Sequence, residues 1–125
     1  MIDQQREALS LAIARSKEPE PTDGEWRNGL GRLSKSGFWF RHWNGPSGVE
    51  HFWPRSHREP EIAMRLMKDG RLTVRGYGNG WCAYPTMHEW DREIEKIPEF
   101  AYADEPADAI ALAWAKSHGV EVSNG

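Results

Sequence analysis

Proline and glycine divide this sequence into short segments, and these interruptions limit the chain to short helices and tight hairpins. Its 125 residues include 8 prolines and 12 glycines, the two residue types that most strongly interrupt regular structure. The longest stretch rich in apolar residues, residues 107–115, is far shorter than the roughly 20 residues that a membrane-spanning helix requires. We therefore expect short elements and no transmembrane helix.

Two segments in the first part of the chain predict amphipathic helices. Apolar residues recur at helical spacing over residues 4–16, behind Asp3 as a favourable N-cap, and Pro19 prevents the helix from continuing. The second helix is expected to begin at Pro60 and to end at Gly70. Proline suits the first helical turn, and glycine favours the end of a helix.

Two further helices are predicted after residue 85. Residues 86–97 begin with Thr86 in a capping-box pattern, and Pro98 closes the segment. The last helix opens at Pro106 and ends at Gly119. Each of the two has one apolar face that we expect to point inward.

Two pairs of runs rich in aromatic and β-branched residues predict β-hairpins. The predicted strands are residues 37–43, 49–53, 71–77 and 81–84. In the first hairpin we expect Trp43 opposite Val49, which places Trp39 opposite Trp53. The predicted fold class is therefore α+β, with two antiparallel β-hairpins in one small sheet packed with about four helices.

The length fits a single α+β domain over residues 1–125, since a chain of this size buries roughly two thirds of the surface that its unfolded form exposes. Residues 1–25 are expected to form the first helix plus an acidic linker, and whether they pack on the rest of the domain stays open. The single cysteine, Cys82, cannot form an internal disulfide, and the first residues lack the pattern of a secretory leader. These features predict a cytoplasmic protein, and no cofactor is indicated.

Residues 60–118 combine a helix ending in EIAMRLMKDG, a strand pair RLTVRGYGNGWCAYP and a late helix ADEPADAIALAWAKSHG. This combination resembles the small domains called the phage ABA sandwich, which are named for their α-β-α layers. In that group the second strand of the hairpin carries a tryptophan, and the last helix opens after an acidic residue, a proline and an Ala-Ile pair. The resemblance covers just under half of the chain. It implies a phage or prophage accessory protein made in a bacterial host, and it carries over no catalytic residues.

No catalytic or metal-binding motif stands out among the reactive side chains. The five histidines lack a zinc-binding spacing, and His51 and His57 would need further ligands from elsewhere in the chain. Cys82 falls within a predicted strand, where a lone cysteine is usually a small buried hydrophobe. The acidic residues of the 89–95 segment would wrap around a helix and not converge on one point. An enzyme, such as a hydrolase that uses His and Glu, is therefore the least favoured class.

Seven tryptophans and a basic middle segment are the most unusual features of the sequence. The net charge is −3, but residues 26–85 contain 10 basic and 4 acidic side chains, and residues 86–125 contain 3 and 9. Tryptophan and arginine are enriched in binding hot spots, so we expect a binding surface on the first hairpin and the arginines near it. The candidate binding residues are Trp39, Arg41, Trp43, His51, Trp53, Arg55, Arg58 and Arg75. Whether the three hairpin tryptophans are exposed or buried stays open.

The leading interpretation is a non-enzymatic phage accessory protein that binds and blocks a host macromolecule, as an anti-CRISPR-like inhibitor of a defence system. Its partner would be a host protein or nucleoprotein complex that offers an acidic patch or a nucleic-acid backbone, with no membrane involved. An acidic chain argues against a dedicated nucleic-acid-binding domain. The alternative is a small-molecule or nucleotide binding module, in which the tryptophans stack a ring and an arginine pairs with a phosphate. The sequence does not indicate an oligomeric state.

Overall fold

The computed structural model describes residues 1–19, 33–34, 36–44, 49–88 and 93–121, and it describes only the backbone of residues 41–44, 49–51 and 88. The helices among them are α1 Asp3–Lys17, α2 Pro60–Asp69 and α3 Pro106–Ser117. The strands are β1 Trp39–Asn44, β2 Val49–Pro54, β3 Leu72–Tyr77, β4 Gly80–Pro85 and β5 Ala101–Ala103. No helix in this part of the chain is long and apolar enough to cross a membrane. The predicted α+β class is confirmed.

The first helix packs into the core through one face. Leu9, Ile13 and Ala14 are buried on it, which is the amphipathic pattern that the sequence predicts. Its N-cap is Ile2 and not Asp3. α1 is thus docked on the fold. The predicted acidic linker spans residues 17–25, but Lys17 belongs to α1, and residues 20–25 lie outside the described residues.

The strands form two separate antiparallel sheets, so the prediction of one small sheet is wrong. β1 pairs with β2, and β4 lies between β3 and β5 in the second sheet. β5 was not predicted, because it has only three residues, two of them alanine, and alanine is depleted in strands. The two predicted hairpins are both present.

β1 and β2 pair one residue out of the predicted register. Asn44 joins the ladder opposite Val49, which places Trp39 opposite Pro54 and not opposite Trp53. Side chains alternate between the two faces of a strand, so a slip of one residue puts the two tryptophans on opposite faces. The predicted common face of Trp39 and Trp53 is therefore wrong.

The predicted helix over residues 86–97 is also wrong for the part that the structure describes. Short 3-10 turns cover Thr86–His88 and Ile94–Lys96, and residues 89–92 lie outside the described residues. Met87 is exposed, whereas Ile97 is buried against Cys82 and Tyr84 of β4. The segment that contains Ile97 therefore covers the face of the sheet opposite α3, and it does not share a helical face with Met87.

α3 lies at the centre of the core. It packs against β4, β5 and α2, and its buried face consists mainly of alanines, which allow a helix to lie close to a sheet. Trp114 points inward, as predicted, and its indole N–H donates to Asp69 Oδ2 at 3.1 Å. That contact ties the end of α2 to the last turn of α3.

The turn after α2 places glycine and the left-handed residue in an unexpected order. α2 ends at Asp69, and Gly70 follows with an ordinary φ of −85°. Arg71 takes the left-handed conformation, with a φ of 49°, which glycine usually occupies after a helix. A Cβ at position 70 would lie 3.1 Å from Leu72 Cγ and from Trp114 Cδ1, so these two side chains would have to move by a few tenths of an ångström to admit it.

Arg71→Gly should stabilise the fold. Relief of the left-handed strain is worth about 1–2 kcal/mol and a more flexible unfolded chain costs about 0.5–1 kcal/mol, which leaves a gain of up to about 1.5 kcal/mol. Gly70→Ala is the matched variant: it relieves no left-handed strain, and the close contacts with Leu72 and Trp114 oppose the gain from a less flexible unfolded chain, so it should stabilise the fold less than Arg71→Gly does. Urea unfolding followed by circular dichroism measures both changes. A less stable Arg71→Gly protein would contradict the assignment of strain to this position.

Candidate functional site

A cavity of about 820 Å³ lies between α1 and the β1–β2 hairpin. Its apolar lining consists of Ala8, Leu11, Trp39, Phe40, Phe52, Trp53 and Pro54. Trp53 is 50% exposed, which is a large fraction for so large an apolar side chain. The cavity therefore combines an aromatic wall with a tryptophan that reaches the surface.

Trp39 forms the inner wall of this cavity and belongs to the core. Only 1% of its surface is exposed, and its indole N–H lies 3.2 Å from the carbonyl oxygen of Ala14 and 3.0 Å from that of Glu18. Carbonyl groups at the end of a helix have no partner within the helix, and that of the C-cap Glu18 is one of them, whereas that of Ala14 also accepts the backbone N–H of Glu18. The indole N–H of Trp39 is thus bonded to the end of α1 and is not available to a ligand.

The predicted arginines occupy three different environments. Arg58 lines the cavity. Arg55 is held by the fold, because its guanidinium donates to the Gly37 carbonyl at 3.1 Å and to Glu59 at 3.0 Å. Arg75 lies on β3 in the other sheet, outside the cavity lining.

The remaining three predicted binding residues are placed by their backbone alone. Arg41 and Trp43 belong to β1, and His51 belongs to β2. Their side chains lie outside the described part of the protein. Of the predicted residues with described side chains, the structure brings together Trp39, Trp53 and Arg58 at one cavity.

The charged part of the cavity lining contains three arginines and two acids, Arg6, Arg15, Arg58, Asp3 and Glu7. Arg6 Nε contacts Asp108 Oδ2 at 3.0 Å, and Arg58 contacts Glu105 at 2.9 Å. Arg15 is exposed and makes no ion pair with any described residue. It is therefore the cavity cation that is most available to a ligand.

A chain of buried hydrogen bonds lies directly behind the cavity. Ser10 Oγ, which lines the cavity, is 2.8 Å from His57 Nδ1, and His57 Nε2 is 2.5 Å from Asp108 Oδ1. His57 is 1% exposed and Asp108 is fully buried. The second carboxylate oxygen of Asp108 accepts the hydrogen bond from Arg6. This Ser10–His57–Asp108–Arg6 chain joins α1, the loop before α2 and the first turn of α3.

The hydrogen bonds fit a neutral His57 with its proton on Nε2. The backbone N–H of His57 donates to Ser10 Oγ at 3.1 Å, and the hydroxyl hydrogen can then be donated to Nδ1. Nε2 then carries the proton that faces the Asp108 carboxylate. Burial lowers the pKa of His57, the positive charges of Arg6 and Arg58 lower it further, and Asp108 opposes them.

The chain has the residue types of a serine-hydrolase triad, but its geometry supports a structural role. In that triad the histidine faces the serine through Nε2 and the acid through Nδ1, and here the two nitrogens are exchanged. Ser10 lies inside α1, where the neighbouring N–H groups bond to carbonyls one turn earlier. Within α1 no pair of free N–H groups is therefore left to stabilise an oxyanion beside the hydroxyl.

Sequence reasoning did not single out Ser10 or Asp108. The usable signal was a polar side chain inside an apolar helical run, because a buried polar group needs a partner. The partner itself could not be read from the sequence, since His57 is 47 residues from Ser10 and 51 from Asp108. Only the tertiary fold brings the three residues together.

Cys82 is buried in β4, as the sequence predicts. Burial raises the pKa of its thiol. A thiol with a raised pKa forms less of the reactive thiolate at neutral pH, so Cys82 contributes packing and not a nucleophile.

Lowering the pH through 6.5 should destabilise the protein through His57. The unfolded chain binds a proton at the ordinary pKa of 6.5, whereas the folded pKa is lower, so the unfolded state binds more protons below pH 6.5. The stability that His57 contributes is therefore fully present above pH 6.5. It falls as the pH drops towards the folded pKa, by up to about 1.4 kcal/mol for each pH unit. Urea unfolding at a series of pH values on both sides of 6.5 measures this slope.

His57→Gln and His118→Gln make a matched pair for that measurement. The first variant should lose the slope, together with some stability because Ser10 and Asp108 lose hydrogen-bond partners. The second should keep the slope, because His118 is exposed at the end of α3. Persistence of the full slope in His57→Gln would show that another group causes the pH dependence.

The described residues thus build a cavity with an aromatic wall, the half-exposed Trp53 and the unpaired Arg15. Among these residues, no group of three or more His, Cys, Asp or Glu side chains is arranged to hold a metal ion. Comparison with known proteins finds no matching family model, no matching curated protein and no matching solved structure.

Proposed function

We propose that this protein is a non-enzymatic binding protein that receives an apolar side chain of a macromolecular partner in the cavity between α1 and the β1–β2 hairpin. The observation that carries the proposal is Trp53, which is half exposed beside a cavity of about 820 Å³ with an aromatic wall. Tryptophans beside well-formed pockets are typical of binding hot spots, because they bury a large area without losing much conformational freedom.

Arg15 specifies the charge of the partner. It lines the same cavity and makes no ion pair with any described residue. A partner that places an acidic group next to its apolar side chain would satisfy both Arg15 and the aromatic wall. This pattern supports an acidic protein patch as the contact surface, and it predicts that association weakens as salt screens the charges.

The host-directed part of the proposal rests on the sequence resemblance over residues 60–118. On that basis the partner is a component of a bacterial host, such as a defence system, and the protein blocks it by occupying its surface. Occupancy requires no reaction. Inhibition by occupancy therefore agrees with a structural, and not a catalytic, role for the Ser10–His57–Asp108–Arg6 chain.

Trp53→Ala should weaken partner binding about 30-fold, which corresponds to about 2 kcal/mol. Trp81→Ala is the matched control, since Trp81 is 40% exposed on β4 and lies outside the cavity lining. Tagged wild-type and variant proteins are used to capture partners from a bacterial lysate. A protein retained by the wild type and by Trp81→Ala, but lost by Trp53→Ala, is the expected result.

A second pair of variants tests the charge. Arg15 and Lys68 both lie in the last turn of a helix, but only Arg15 lines the cavity. Arg15→Glu should weaken capture and Lys68→Glu should not, while circular dichroism confirms that each variant is folded. Equal capture by all four variants would remove the cavity as the contact site.

The size of the cavity favours small-molecule binding as a second candidate function. Its volume of about 820 Å³ lies within the range of small-ligand pockets, which is roughly 300–1,000 Å³. Trp53 could stack an aromatic ring while Arg15 or Arg58 pairs with a phosphate. Because Trp39 is buried, Trp53 is the tryptophan with a described side chain that would report such binding.

Tryptophan fluorescence distinguishes the two candidates. Titration with nucleotides should quench the wild-type signal if a base stacks on Trp53, and Trp53→Phe should lose that quenching. Trp81→Phe should retain it. Flat titrations with nucleoside mono-, di- and triphosphates would leave the macromolecular partner as the sole proposal for this cavity.

A further inference from the structure

β3 forms an open edge of the second sheet. Among the described residues the strand order is β3-β4-β5, so β3 pairs with β4 on one side and with no strand on the other. Arg75 and Gly76 of β3 are exposed, and a Cβ at Gly76 would meet no atom within 4 Å. An edge strand presents backbone N–H and C=O groups that can pair with another chain. The outer edge of β3 is therefore a surface to which a further strand can be added.

The turn between β3 and β4 determines which backbone groups of β3 point outwards. Tyr77 and Gly80 pair across a two-residue turn, and such a turn is closed by a hydrogen-bonded pair. Hydrogen-bonded pairs recur at every second residue of an antiparallel ladder, and the bond from the Thr86 N–H to the Arg71 carbonyl fits this alternation. The intervening residues direct their backbone groups away from β4, and they are Leu72, Val74 and Gly76. None of the three makes a backbone hydrogen bond with a described residue outside its own sheet.

One antiparallel register pairs two copies of β3 through all three of these residues. In that register a two-fold axis passes between Val74 and Val74 of the second copy, and Leu72 faces Gly76 of the second copy. Arg75 then lies opposite Thr73. A shift of two residues towards the turn would place Arg75 opposite Arg75, and like charges directly opposite each other destabilise a sheet. The charge on β3 therefore favours the register centred on Val74.

The same register gives Arg71 a partner. Arg71 is exposed and makes no hydrogen bond or ion pair with any described residue. It would lie opposite Tyr77 of the second copy, with roughly 5 Å between the two Cβ atoms. The Tyr77 hydroxyl donates to Glu95 Oε1 at 2.6 Å, and an extended arginine side chain is about as long as a tyrosine side chain. An arginine that lies along the Tyr77 ring therefore reaches the Glu95 carboxylate, and two-fold symmetry forms this ion pair twice.

We propose that two copies of this chain associate through the outer edge of β3, which joins their sheets into one continuous antiparallel sheet. Main-chain hydrogen bonds at the three facing pairs and an Arg71–Glu95 ion pair at each end hold the two copies together. A contact between single strands is smaller than a standard interface, so the association is weak. β3 contributes no residue to the cavity beside α1, so this dimer is independent of the function proposed above.

Sedimentation equilibrium of the full chain tests the proposal. The average mass should rise from that of one chain towards that of two as the concentration increases from about 1 µM to about 1 mM. Gly76→Pro removes an outward N–H and no bond to β4, and edge strands tolerate proline at such positions. It should stay monomeric, whereas Gly76→Ala keeps the N–H, has space for its Cβ and should dimerise like the wild type. A wild-type protein that is monomeric throughout, or a folded Gly76→Pro protein that dimerises equally well, would overturn the proposal.

Charge reversal tests the register without touching the backbone of β3. Arg71→Glu and Glu95→Arg should each weaken dimerisation about tenfold, because symmetry replaces two attractions by two repulsions. The double variant restores opposite charges and should dimerise like the wild type. Lys68→Glu makes the same change of charge on α2 and should leave dimerisation unaltered, while circular dichroism confirms that each variant is folded. A double variant that dimerises no better than the single variants would refute the register.

Discussion

The hydrogen bond between His57 and Asp108 joins segments that are far apart in the sequence, and the packing of the rest of the structure depends on it. Asp108 is fully buried, and a buried carboxylate is tolerated only where donors surround it. His57 supplies one donor and Arg6 supplies another. Loss of either would leave a buried charge without adequate compensation, which typically costs about 3–5 kcal/mol. Because these hydrogen bonds join α1, the loop before α2 and α3, none of the three elements can pack correctly without the other two.

α1 is fixed at two points, and the cavity lies between them. Near its start, Arg6 and Ser10 attach it to Asp108 and His57. At its end, the Trp39 indole N–H donates to the carbonyl oxygens of Ala14 and of the C-cap Glu18. A binding site built on an element held in this way loses little freedom when a partner arrives, so more of the contact energy remains as affinity.

Local sequence patterns predicted most of the elements but not the contacts that build the sites. The three α-helices were predicted because each has apolar spacing and clear end signals, such as Pro60 and Pro106. The hairpin register was wrong by one residue because nothing local shows whether Asn44 belongs to the strand or to the loop. Likewise, no local pattern shows that α1 covers Trp39, or that Ser10 meets His57. These outcomes depend on residues far away in the sequence, where periodicity carries no information.

Arg6 and Asp108 are 102 residues apart, and this separation governs how the protein can fold as it is made. Synthesis proceeds from the N-terminus, so α1 leaves the ribosome long before α3 exists. Isolated helices of about 15 residues are marginal in water, and α1 cannot complete its packing until α3, with Asp108, has emerged. The nascent chain therefore exposes part of the apolar face of α1 while the residues up to Asp108 are being synthesised.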